Sequence, residues 1–306
     1  MATTMVAPVG NDIDLAEKFL ARVDEVYKRE SLTNIFDTES DRVQWTGADT
    51  VNLFEIDTVG LGDYSRNAGY VPGDADGAWQ SYQLTQDRAR SFNIDAMDSE
   101  ETFGLMGART LGVFERTKVV PELDAYRFAK WAGTVGIDGA TATLSGSDNI
   151  ADLIDTAVAS MDDNEVPYEG RILFVNPTIY KYLKGDITRY TENRDDVVNY
   201  NIMMYNDMRV ISVPSARFNT AITLGQPTDH DGAGGYTATG AAINFMIVHP
   251  SAIMQVVKHN PIRIFSPAQN IEADAYRINY RIYHDTFVLK NKVKGIYVHK
   301  AQVSSS

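Results

Sequence analysis

Apolar positions along the chain follow two periods, one helical and one extended. Over 12–30, DIDLAEKFLARVDEVYKRE, the residues Leu15, Phe19, Val23, Val26 and Tyr27 recur at helical spacing. They predict an amphipathic helix set apart from the next elements by the polar stretch SLTNIFDTESDR. Residues 41–59 and 81–97 read as two strands bracketing the segment GLGDYSRNAGYVPGDADGAWQ at 60–80. In the second strand Phe92, Ile94 and Ala96 alternate with Ser91, Asn93 and Asp95, which gives one apolar and one polar face. Its outer part, QDRAR, has no apolar face, so the hairpin is expected to project into water or onto a partner. Residues 98–118 predict a helix: Asp98 and Glu101 have capping-box spacing, and Phe103, Met106, Gly107, Thr110, Leu111, Val113, Phe114 and Thr117 form one stripe. A break is expected before VVPELDAYRFAKWAG, with Pro121 starting a new helix and Gly133 stopping it.

The second half mixes both periods. Ile150, Leu153, Ile154, Val158 and Met161 mark an amphipathic helix over 148–162. GRILFVNPTIYKYLKGD, from Gly170, reads as a short buried strand running into a helix, with Asn176 as cap and Pro177 in the first turn. Strands are expected at 208–214 and 242–250, separated by the glycine-rich loop LGQPTDHDGAGGYTATG. The chain closes with two long antiparallel strand patterns over 274–300. There Tyr276, Ile278, Tyr280 and Ile282 face one way, and Arg277, Asn279 and Arg281 face the other.

Composition narrows the function. The 306 residues allow one large domain or two smaller ones, and 44% hydrophobic with 23% charged residues is a globular balance. There is no cysteine, which excludes disulfides, thiolate zinc sites, iron–sulfur clusters and cysteine nucleophiles. The net charge of −13, without a Lys/Arg run, speaks against tight binding to a nucleic-acid backbone. The main basic cluster, Lys18, Arg22, Lys28 and Arg29, is interleaved with Asp14, Glu17, Asp24, Glu25 and Glu30, which can balance it as helical i,i+4 pairs. The start MATTMVAPVGNDID has no basic n-region, and no stretch approaches the ~20 apolar residues of a membrane span. A chain that folds in solution inside the cell, with no membrane partner, is expected.

Candidate chemistry is sparse. DADGAW at 74–79 has part of a calcium-loop pattern but lacks the remaining ligands, and a turn is the simpler reading. Asp229, His230 and Asp231 are three potential metal ligands, but they sit in a glycine-rich loop with no rigid support. His249, His259, His284 and His299 are scattered among apolar neighbours. No nucleophile elbow, zinc-protease motif or phosphate loop occurs. No catalytic residue, metal or cofactor is assigned, and the chain is not expected to be an enzyme.

The order of these elements resembles the major capsid proteins of tailed bacteriophages, the Hong Kong 97-like fold. The resemblance runs over nearly the whole chain and is carried by ARSFNIDAMDSEET at 89–102, VVPELDAYRFAKWA at 119–132 and GRILFVNPTIYKYLKG at 170–185. It implies an α+β fold with an N-terminal arm (1–40) and an extended β-hairpin loop (41–98). A long spine helix with the first part of the peripheral domain (99–165) would come next, then an axial domain (166–255). The returning peripheral strands and a C-terminal tail (256–306) would close the chain. The resemblance further implies a structural subunit that self-assembles as hexamers and pentamers into the icosahedral head around a phage's double-stranded DNA. Assembly would take place in the cytoplasm of a bacterial host, with a separate scaffolding protein, a portal and possible head-decoration proteins as partners. DNA contact would be weak and non-specific. The loop would lie over a neighbouring subunit, with Tyr64, Tyr70 and Trp79 supplying contact area and Arg66, Arg88 and Arg90 meeting carboxylates; Leu15 and Phe19 would do the same for the arm. The alternative within this fold is an encapsulin-like shell of a bacterial nanocompartment. A soluble acidic hydrolase would instead need a pocket with converging titratable groups.

Overall fold

The structure, a computed structural model, describes residues 31–37, 44–45, 50–64, 66–67, 69–70, 75–95, 111–191, 203–226, 234–259, 262–271 and 274–302. The expected helix over 12–30, with Leu15 and Phe19, lies outside the described residues, as do Asp229, His230, Asp231 and the first part of the expected helix over 98–118.

Strands β1 (Gln44–Trp45), β2 (Thr50–Thr58) and β3 (Ala75–Gln83) form a small antiparallel sheet, and β4 (Gln86–Asp95) comes directly after it. Next come helix α1 (Val120–Ala132), β5 (Asp138–Thr141), α2 (Ile150–Asp163), β6 (Ile172–Val175) and α3 (Pro177–Thr191). They lead into β7 (Met204–Tyr205), β8 (Met208–Ser212), the ribbon of β9 (Ile222–Gly225) with β10 (Gly235–Ala238), and β11 (Ile243–Val248). The chain ends with β12 (Ile253–His259), β13 (Arg263–Phe265), β14 (Ala275–Val288) and β15 (Ile296–Lys300).

The centre is a six-stranded sheet in the order β5-β15-β11-β6-β8-β7. Every residue of β6 and β11 is buried, which matches their unbroken apolar runs ILFV and INFMIV. Successive side chains of β6 enter different layers. Leu173 and Val175 pack with Ile150, Ile154 and Val158 of α2 and with Ile179 and Leu183 of α3. Ile172 and Phe174 join Phe128 and Trp131 of α1 and Phe36. Both covering helices start at an asparagine, as expected for Asn176. Asn149 Oδ1 accepts from Asp152 N at 3.3 Å, Asp186 of α3 takes the Ile150 N–H at 2.7 Å, and Asn176 Oδ1 accepts from Thr178 N at 3.1 Å. Gly133 succeeds the last residue of α1, and its N–H closes on Ala129 O at 2.9 Å.

A second sheet is organised by β14, which pairs with β4 along one edge and with β12 and β13 along the other. Ile278, Tyr280 and Ile282 of β14 are buried against Leu111, Val119, Val120 and Leu123, whereas Arg281 is exposed. One helix therefore contributes to the core of both sheets.

Several expectations need correction. The single strand over 81–97 is two strands in two sheets. Leu84 turns into a cluster with Val51, Met254, Val256 and Phe287, so the chain changes sheet between Gln83 and Gln86. The charged stretch QDRAR is consequently not part of a free hairpin: residues 86–90 pair with residues 280–284 of β14. No break separates the helix before Val119 from the one after it. Residues 111–114 are helical and a π-helical turn, Glu115–Val119, runs on into α1. Pro121 can neither donate to the carbonyl one turn back nor tolerate its normal approach, and the wider turn makes room for it. The two terminal strand patterns do not pair with each other; β14 and β15 belong to different sheets, joined by a 3-10 turn, Lys290–Gly295. Residues 75–79 of DADGAW are strand rather than turn, and the glycine-rich loop includes the end of β9 and all of β10. The central sheet draws β5 and β15 from outside residues 166–255.

Candidate inter-subunit surface

Nine cross-strand pairs, from Thr50 with Gln83 to Thr58 with Ala75, hold β2 and β3 in one continuous register. Beyond them the chain runs through the glycine-rich loop. Leu61 (107% relative exposure), Tyr70 (89%), Val59 (65%) and Tyr64 (61%) lie in it and Trp79 (58%) on β3, all five exposed. Tyr64 and Tyr70 meet edge to face with centroids 5.1 Å apart, a preferred aromatic geometry. Between them Gly69 has φ of 82°, a left-handed conformation that a side chain would oppose. Arg66 is exposed beside them.

The base of the hairpin is fixed to the body. Val51, Tyr82 and Leu84 pack on Met254, Val256 and Phe287, and Lys290 Nζ donates to Gln80 Oε1 at 2.8 Å. The joint between β3 and β4 is held by polar groups. Tyr283 OH donates to Leu84 O at 2.9 Å, and the backbone N–H and hydroxyl of Thr85 reach Asp285 Oδ2 at 3.0 and 2.9 Å. On Oδ1, Asp285 receives Tyr126 OH at 3.0 Å, its neighbour Thr286 N at 2.7 Å and the Lys130 ammonium. The Asp285 side chain is fully buried. Burial, with the adjacent Asp285 charge adding to it, pushes the Tyr126 hydroxyl well above its ordinary range and keeps it a donor.

The sequence-derived contact residues divide accordingly. Tyr64, Arg66, Tyr70 and Trp79 lie on the outer hairpin. Arg88 does not: its guanidinium grips Glu122 of α1 at 2.7 and 3.3 Å and donates to Gly225 O at 3.0 Å, all within its own chain. Arg90 is half-buried in β4 opposite Tyr280 of β14. Sequence reasoning missed Val59 and Leu61, although apolar residues interleaved with Gly60 and Gly62 were a usable signal. It also missed the exposed pair Met203 and Met204 at the β7–β8 turn, where Asn206 and Asp207 take positive φ.

A second polar cluster holds residues 31–37 on α1. Buried Asp124 accepts from Ser31 Oγ at 2.8 Å, Thr33 Oγ1 at 2.7 Å, Leu32 N at 3.2 Å and Arg217 Nη1 at 3.3 Å. Arg127 reaches Thr33 Oγ1 at 2.7 Å and Asp37 Oδ1 at 3.0 Å. Among the described residues no group of three or more His, Asp and Glu side chains could hold a metal ion. His299 lies against Asn244 at 3.0 Å, and burial lowers its pKa; burial lowers that of His249 as well. No helix of the described residues is long and apolar enough to cross a membrane.

No family model matches the sequence, and no curated protein matches it either. Solved structures do. The capsid structure of the cyanophage P-SCSP1u aligns at TM-score 0.58 and 13% identity, over 85% of each chain. The mature capsid of bacteriophage PhiM1 aligns at TM-score 0.60 and 12% identity, over 83% of this chain and 82% of the other. The fold is that of phage capsid proteins. A virus-like particle from Pyrococcus furiosus shares it at TM-score 0.53 and 11% identity, over 95% of this chain and all of the other. In this capsid-like fold the outer hairpin is the described region richest in exposed large apolar side chains.

Proposed function

We propose that the protein is a shell subunit, the major capsid protein of a tailed bacteriophage, which self-assembles into an icosahedral head of hexamers and pentamers enclosing double-stranded DNA. The observation that carries this reading is the likeness to phage capsid chains across more than four fifths of both partners. The exposed aromatic hairpin supports it, since large apolar side chains in water are used at interfaces. In this reading residues 1–40 are an arm, the hairpin is the loop laid on a neighbour, the helix through α1 is the spine, and the six-stranded sheet belongs to the axial region. Tyr64, Arg66, Tyr70 and Trp79 are the neighbour contacts in the hairpin, and Leu15 and Phe19 those in the arm. Arg88, engaged with Glu122, is withdrawn from that role. A separate scaffolding protein, a portal and decoration proteins complete the head. The wall, with a net charge of −13 per subunit, confines DNA without gripping it. Each contact is modest and gains strength by repetition.

The likeness to the virus-like particle supports a second reading, a cellular encapsulin-like shell. Expression of the full chain in bacteria, with and without a candidate scaffolding protein, and then electron microscopy, tests both. Closed particles of uniform diameter are expected. A chain that stays monomeric at high concentration in every combination would sink the shell reading, and particles filled with a cargo protein would select the encapsulin-like one.

A further inference from the structure

Residues 84 and 85 link β3 in the hairpin sheet directly to β4 in the body sheet. A two-residue joint between separate sheets leaves their relative angle to whatever holds the joint. Here five donors converge on one buried carboxylate. Thr85 offers two, from the joint itself; Tyr126 and Lys130 come from α1; and Thr286 comes from the strand that carries Asp285. Thr286 is in turn fixed to α1 by Trp131 Nε1, which donates to its hydroxyl at 2.8 Å. An ionised carboxylate is acceptor-only and can take all five, whereas no other side chain of its size can. Charge-assisted bonds of this kind are short and directional. Leu84, immediately before, is pinned from both sides, by its buried side chain and by Tyr283 on its carbonyl.

We propose that the Asp285 cluster is a positioning site for the interaction surface: it sets the angle at which the hairpin leaves the body. That angle decides which geometry of a second copy of this chain the Leu61, Tyr64 and Tyr70 side can meet. The link to the second copy rests on the shell reading; the setting of the angle does not. α1, which contributes to the cores of the six-stranded sheet and the β14 sheet, thereby becomes the reference against which the hairpin is aimed.

The test uses the full chain. It contains no cysteine, so Ala78→Cys on β3 and Ala159→Cys on α2, both exposed, allow a pair of spin labels without background. Label-to-label distance distributions are measured on unassembled subunits, alone and with Asp285→Asn or Thr85→Val. The asparagine brings two N–H groups into a ring of donors; the valine removes one hydroxyl and leaves the buried carboxylate intact, so it decides the matter if Asp285→Asn does not fold. The expected result is a broadened distance distribution. Amide exchange at Thr85 should also rise roughly ten- to hundredfold on loss of a bond to a charged acceptor, while β6 and β11 keep their protection. Particles from these variants should have mixed diameters where the parent is uniform. An unchanged distance distribution in both variants overturns the positioning role. A loosened joint with particles of one unchanged diameter overturns the link from angle to assembly. A parent chain that forms no particles overturns the shell reading alone, and the label distances still judge the joint.

Discussion

The centre of the six-stranded sheet and the hairpin of β2 and β3 are both extended chain, and they use large apolar residues in opposite ways. In β6 every side chain is covered, and Phe174 sits between Phe36 and Phe128 with ring centroids at 6.0 and 5.1 Å. In the hairpin Leu61, Tyr64, Tyr70 and Trp79 face water, and the base packs on the body. Apolar side chains in the first region hold one subunit together. In the second they contribute little to its stability, and their worth depends on what covers them. The same residue types therefore answer to different measurements, folding in one case and assembly in the other.

The comparison breaks most sharply at Phe174. Phe174→Ala is expected to cost about 3–5 kcal/mol, the lost transfer energy plus the cavity left in a layer that cannot collapse. Chemical denaturation of unassembled subunits measures it. A loss below about 1 kcal/mol would mean that the layer is loosely packed, against its complete burial.

His299 tests the same sheet through protons. Its folded-state pKa lies below the ordinary value of 6.5, because burial disfavours the imidazolium. The unfolded chain therefore takes up the proton first. Stability is fully present above pH 6.5 and falls as the pH drops through that value towards the folded-state pKa. His249 shifts in the same direction and adds to the slope. His299→Gln should flatten thermal stability between neutral pH and about pH 5. An unchanged slope would show that His299 titrates with the same pKa in both states.

The smallest effect on folding, and the largest contrast, is expected in the loop. Leu61→Ser with Tyr70→Ser should change subunit stability by less than about 0.5 kcal/mol, the usual range for surface changes. The same pair should lower the yield of closed particles, read by sedimentation. If the double variant instead loses its cooperative thermal transition, the loop packs within its own subunit and the contrast between the two regions fails.

Much of the first region was legible in the chain. The run ILFV, short and unbroken, marked a buried strand, and INFMIV lay within an expected strand. Asn176 marked a helix start, and Gly133 a helix end, because caps are decided by the orphan backbone groups of one turn. The hairpin was half legible: the presence of two strands around the loop agrees with the pattern, but its border does not. Nothing in SYQLTQDRAR says that the chain changes sheet at Leu84, since both halves are good strand and the change is imposed by partners about two hundred residues away, at Asp285 and Phe287.

What the sequence determined by itself is local: the period of each segment, its caps, and the placing of apolar side chains in a glycine-rich loop that its own strands cannot cover. What only the tertiary structure decided is non-local. Arg88 read as a contact to a neighbour's carboxylates until Glu122 and the carbonyl of Gly225 of its own chain were brought to it. Pro121 read as a helix start until the π-helical turn before it carried the helix through. β14 and β15 read as a pair until each found a better-covered place in a different sheet. The physical reason is common to all three. Backbone preference acts over a few residues, whereas the partner that satisfies a charge, a carbonyl or a strand edge is chosen by the packing of the whole chain.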